Sequence, residues 1–210
     1  MKQVLLLGDQ ASVTQPLEQM QCRLQALFEG RFAIETMEDY GGLTHERLKP
    51  YALVICCFGA DWAKKSSRSL TAAFLSYVVN GGCLLGFHDA IASTANHEMC
   101  YLWGASASPC PPAGLLDYAP AQERHLVLDE ASAPFTVEDA PLRFDFNVFT
   151  KNRKILYTYT YGAERYPAAW SHTYGAGRVV YLAPGLAPAW ENAAFRRLVL
   201  RCGLWGTNLL

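Results

Sequence analysis

The chain has 210 residues, 51% of them hydrophobic, and a formal net charge of −1 with 18 basic residues scattered along its length. One domain spanning residues 1–210, with one sizeable core, is expected at that length. The scattered charge lacks the basic footprint that nucleic acid or an anionic membrane surface requires, and no apolar run approaches the roughly 18 residues of a membrane span, so neither is an expected partner.

Val4 to Leu7 is a continuous apolar run stopped by Gly8, as in a strand buried on both faces; it is too short for a signal-peptide core. Val13, Leu17, Met20, Leu24, Leu27 and Phe28 then recur at steps of four and three, predicting one apolar helix face that ends at Gly30. Phe32 to Thr36 reads as a second strand, Thr44 as the cap of a short helix before Pro50, and Leu53 to Phe58 as a third strand. A polar loop from Gly59 to Lys65 leads through Ser66 or Ser67 into a helix carrying Leu70, Phe74, Tyr77 and Val78. That helix stops at Asn80-Gly81-Gly82, Cys83 to Leu85 form a fourth strand, and Gly86 is expected to let the backbone turn. Four strand–helix alternations in ninety residues predict an α/β fold with a doubly wound, mostly parallel sheet.

The second half predicts β-rich additions to that sheet. Residues 104–120, rich in Ala, Ser, Pro and Gly, read as a long loop near the site. His125 to Leu128, Leu142 to Thr150 and Ile155 to Tyr161 read as strands. Ala168 to Tyr174 and Arg178 to Ala183 form a hairpin around Gly175-Ala176-Gly177, and a last helix runs from about Ala189 to Cys202, stopping at Gly203.

The most informative stretch is Gly81 to Ala90, where an imidazole, His88, stands at a strand-to-turn corner and is expected to face solvent instead of packed apolar groups. In α/β sheets such corners lie at the carboxyl edge, where ligands bind, and imidazole changes charge near neutral pH. His88 is therefore the candidate catalytic residue, as general base, hydrogen-bond donor or metal ligand, against the alternative that its nitrogens tie down the turn. Asp89 either orients that imidazole or caps the following helix. Asp9, just after the first strand, points at the same edge and either touches a ligand or is solvated in its loop. His97 and Cys100 follow His88 closely, but no ligand pair has a metal-site spacing, and no metal is expected. The seven cysteines contain no C-x-x-C pair and three of them, Cys56, Cys57 and Cys83, lie in strand-like runs, which fits reduced thiols in a cytoplasm.

Four words in order resemble the trehalose-utilisation (ThuA-like) family, whose fold is that of the class I glutamine amidotransferases: Gly81 to Ala90, Tyr166-Pro167-Ala168-Ala169-Trp170, Tyr174 to Tyr181, and Phe195 to Trp205. The resemblance runs through almost the whole chain. It implies a flavodoxin-like sheet and a role in carbohydrate metabolism, with a small-molecule ligand of the sugar class at the carboxyl edge. It also sets Asp145 and Asn147 where members carry an acidic word, making Asn147 a candidate ligand contact. Where members carry further histidines this chain has Gly8-Asp9-Gln10-Ala11, Ser108-Pro109, Ala133-Pro134 and Gly185-Leu186, so His88 is the one clearly retained. Glutaminase activity is not expected, because the elbow holds no cysteine and Leu186 stands where the base would be. Two readings remain open: a protein that binds or transforms a sugar by acid–base chemistry, and a non-catalytic amidotransferase-like module that binds a ligand or docks a partner. The sequence names no cofactor and leaves the oligomeric state open, a homo-oligomer included.

Overall fold

The computed structural model describes residues 1–59, 67–95, 97–108 and 110–210, with the backbone alone at 93–95. The first half is β1 (Lys2–Gly8), α1 (Leu17–Leu27), β2 (Phe32–Met37), α2 (His45–Leu48), β3 (Leu53–Cys57), α3 (Arg68–Val79) and β4 (Cys83–Phe87). A 3-10 helix (His88–Ala95) and α4 (His97–Trp103) follow. Then come β5 (Ala105–Ser108), β6 (Gly114–Pro120), β7 (Phe135–Asp139), β8 (Arg143–Phe146), β9 (Lys154–Tyr161), β10 (Glu164–Tyr174), β11 (Gly177–Leu182), α5 (Ala187–Glu191) and α6 (Ala193–Gly206).

Nine strands form one sheet in the order β2-β1-β3-β4-β11-β10-β9-β6-β7. The first five are parallel, the flavodoxin-like order that places a topological switch point at β1/β3. The apolar runs of the central strands β3 and β4 are wholly buried because helices cover a parallel sheet. From β10 to β7 the strands alternate in direction, so β7 again runs the same way as β4 and ends at the same edge. Register slips at Ala168 in β10 and beside it in β9 bend this antiparallel extension. β5 and β8 make a separate two-stranded ladder.

Local chemistry explains most of the predicted boundaries. Thr44 and Ser67 cap α2 and α3 by accepting the N–H groups of Arg47 and Leu70. The β10–β11 hairpin closes Tyr174 onto Gly177, with Gly175 at φ +61°.

Five expectations are corrected. Helix α1 begins at Leu17 instead of Val13: Pro16 precedes it, and Val13 is 97% exposed. The 104–120 segment is not a loop, since β5 and β6 are paired strands there; Leu116 and Tyr118 are buried while Leu115 and Asp117 face out. His125 to Leu128 is a turn, because the His125 ring accepts the Val127 N–H and Arg201 takes the Val127 carbonyl. The last helix is two helices broken at Asn192, whose side chain caps α6; α6 continues through Gly203 because Phe195, Leu198, Val199 and Cys202 pack inward and override the glycine. Gly86 lies within β4 rather than in a turn, where a Cβ would meet the Trp103 ring at 2.5 Å. The polar-loop expectation after Gly59 and the Ser66 alternative fall outside the described residues. Cys56, Cys57, Cys83 and Cys202 are buried, and no two cysteines are bonded to each other.

Candidate active site

The turn expected at Gly86 occurs at His88 itself, which has φ +41°. That conformation costs an L-residue roughly 1–3 kcal/mol. The surroundings hold it: Tyr181, fully buried on the neighbouring strand, donates its hydroxyl to the His88 carbonyl at 2.7 Å. The result aims the imidazole along the carboxyl edge of the sheet.

The ring is buried, only 5% exposed, instead of facing solvent as its corner position suggested. It faces carboxylates rather than packed apolar groups. Nδ1 lies 3.1 Å from Asp89 Oδ1, and Nε2 lies 3.8 Å from Asp139 Oδ1. Both are ion-pair distances, but neither ring nitrogen makes a directed hydrogen bond to a described residue. Burial alone would lower the His88 pKa; the two carboxylates outweigh it and hold the imidazole above its ordinary value.

Each carboxylate is held differently. Asp89 accepts the Thr14 hydroxyl at 2.8 Å, and although burial opposes ionisation, His88 and Thr14 keep it below the usual carboxylate range. Asp139 has no exposure and accepts the Ala140 and Gly185 N–H groups at 2.8 and 3.2 Å. Its burial dominates, pushing it up to about 6 despite His88 and these N–H donors. A carboxyl raised to about 6 beside an imidazole held above its ordinary value pairs two groups suited to storing and releasing a proton.

Gly185 ties the group together. Its N–H goes to Asp139, its carbonyl accepts Gln15 Nε2 at 3.2 Å, and a Cβ on it would come within 2.6 Å of the His88 Cβ. Gln15 is fully buried, with its Oε1 unpartnered among the described residues. The Tyr118 hydroxyl, buried and likewise unpartnered, is pushed up by burial first and then by the Asp139 charge, which places the phenol near that carboxylate.

Of the sequence candidates, the structure joins Asp89 to His88 directly. Asp9 sits at the end of β1, 6% exposed, and accepts the Tyr40 hydroxyl at 2.9 Å. Asn147 is not brought to the cluster; its side chain accepts the Phe149 N–H and its backbone N–H goes to Gly104, closing its own loop. Trp170 and Tyr181 are wholly buried core residues. His97 is exposed, and no three His, Cys, Asp or Glu among the described residues are arranged to hold a metal ion. Sequence reasoning missed Asp139, although a signal existed. Phe135, Val137 and Asp139 share the buried face of an alternating strand, so a carboxylate stands where an apolar residue belongs.

The chain matches the family model described as trehalose utilisation, ThuA, over residues 3–206. Among solved structures it is similar to a ThuA-like protein from Bacteroides uniformis, with 19% identity over 97% of this chain and 90% of that one and a TM-score of 0.77. It is also similar to a cytoplasmic protein from Salmonella typhimurium, with 13% identity over 99% and 98% of the two chains and a TM-score of 0.67. A third likeness is to a cold-adapted β-galactosidase from Rahnella sp., at 12% identity over all of this chain but 32% of that one, with a TM-score of 0.70. At these identities the structural likenesses establish the fold. No curated protein matches the sequence.

Proposed function

This chain belongs to the trehalose-utilisation (ThuA) family, within carbohydrate metabolism, and on that premise we propose that it binds a sugar or sugar derivative at the carboxyl edge of its sheet. There it moves a proton to or from a ligand hydroxyl or carbonyl. The observation that carries this reading is the convergence of Asp89 and Asp139 on His88. A lone histidine in an apolar cleft would have favoured the non-catalytic module.

In this reading Asp139, poised at about 6, and His88 form the proton-carrying pair, while Asp89, anchored by Thr14, orients the imidazole. The approach for a ligand is from the Asp89 side, since the Asp89 side chain is 20% exposed and that of Asp139 not at all. Asp9, just after β1 and two strands from β4 at the same edge, is the proposed further polar contact. The cytoplasm is the proposed location, supported by the free thiols and by the name of the Salmonella relative. Among the described residues no helix is long and apolar enough to cross a membrane.

One observation favours the docking-module reading: the imidazole is almost sealed from solvent. A thermal-shift screen of the purified protein against trehalose, other disaccharides and their oxidised forms separates the two. A ligand at a hundredfold excess over its Kd stabilises by about 2.7 kcal/mol, which for a chain of this size raises Tm by roughly 5–10 °C. We expect one of these sugars to do so, and His88→Gln to abolish the rise. A sugar that stabilises wild type and His88→Gln equally, or no stabilising sugar at all, returns the chain to the module reading.

A further inference from the structure

A second place on the molecule carries features of a ligand site, away from His88. A cavity of about 390 Å³ between α1 and the α5–α6 junction is lined by Arg23, Ala26, Leu27, Trp190, Glu191 and Arg196, a volume within the range of small-molecule sites. Arg23 is half-buried, and one of its guanidinium nitrogens is fully buried without an acceptor among the described residues. Its protein neighbours are the Trp190 ring, 5.7 Å from the guanidinium carbon, and the Glu191 charge. Burial disfavours its cationic form, with Glu191 opposing that effect in part. Guanidinium carries five N–H donors and no acceptor, so a half-buried head whose buried nitrogen meets no acceptor among the described residues is an incomplete site.

Its surroundings complete the recognition chemistry. Arg196 donates one nitrogen to both the Trp190 and Glu191 carbonyls, at 2.9 and 3.0 Å, which orients its head on the same cavity wall. Trp190 is only 3% exposed, and its indole N–H has no partner among the described residues. Two arginines line the cavity against one carboxylate, Glu191, so it is net cationic, and Ala26 and Leu27 add apolar lining.

We propose that this cavity is a binding site for the oxyanion group, phosphoryl or carboxylate, of a small organic ligand, held between Arg23 and Arg196 with Trp190 beside it. Guanidinium groups favour such anions because their donor fork matches two oxygens at once. The site is structurally continuous with the candidate active site through α5, since Trp190 also packs its ring against Phe87, the residue before His88, at 5.3 Å.

The test follows the Trp190 indole N–H in nitrogen–proton correlation spectra, assigned by its loss in Trp190→Phe. Inorganic phosphate and acetate are titrated separately at constant ionic strength, with chloride as the control. A saturable shift with at least one oxyanion, whose midpoint weakens about tenfold or more in Arg23→Gln and in Arg196→Gln, is expected. Both variants must keep the wild-type spectrum elsewhere, which separates a lost contact from a lost fold. Response to phosphate alone assigns a phosphoryl group, and to acetate alone a carboxylate. A shift that chloride reproduces, that never saturates, or that survives Arg23→Gln with an unchanged midpoint overturns the site.

Discussion

Asp139 is the residue on which the account turns, because its burial raises a carboxyl pKa into the range where cells work. The sign of its contribution to stability follows from that shift. A carboxyl raised from 3.8 to about 6 binds its proton more tightly in the folded chain. Its contribution is therefore fully present below about pH 3.8 and lost as the pH rises through about 6. His88, also raised above its ordinary 6.5, acts in the same sense at higher pH, whereas Asp89, lowered, contributes above 3.8 and loses its contribution as the pH falls. Asp139→Asn should thus flatten the fall in stability between pH 4 and 6 by roughly 2 kcal/mol, out of the roughly 3 kcal/mol that a shift of about two units carries in all. Urea unfolding of both proteins across that range measures it. Parallel stability profiles for the two would show that Asp139 does not titrate as described.

Among the elements, the junction between β11 and α5 has the most exacting packing. Gly185 hydrogen-bonds Asp139 and Gln15 from its two sides while leaving no room for a methyl group beside His88. Gly185→Ala forces either the Gln15 amide or the His88 stem to move. We expect a loss of about 1–3 kcal/mol in chemical denaturation, together with a displaced His88 imidazole resonance. An unchanged midpoint and an unchanged resonance would mean that the junction relaxes freely. This junction is half legible in the sequence, where Gly185-Leu186 stands at the place at which the resembling family carries a histidine. The contacts that give Gly185 its role come from residues 46, 97 and 170 positions away in the chain. No local pattern reports such contacts.

At the scale of the whole molecule, the strand–helix alternation of the first ninety residues was legible because parallel strands are buried on both faces and announce themselves as apolar runs. The antiparallel half was less so. β6 and β7 alternate buried with exposed positions instead of forming continuous apolar runs, and β6 follows a Pro-rich stretch, so their pairing partners decide their structure. That half nevertheless completes the candidate site. β4 and β7 are five positions apart in the sheet, a separation of about 24 Å if the sheet were flat. Yet His88 and Asp139, at their two ends, lie 3.8 Å apart. The extension must curl back over the carboxyl edge, and the bulged β9–β10 pairing is where it bends.

That closure makes the central claim testable in one measurement: titration of the His88 imidazole by NMR in wild type, Asp89→Asn and Asp139→Asn. The account predicts a pKa above 6.5 in wild type that falls in each variant, because each removes one of the two charges opposing desolvation. A wild-type His88 that titrates below 6.5, or one that Asp139→Asn leaves unmoved, would contradict it.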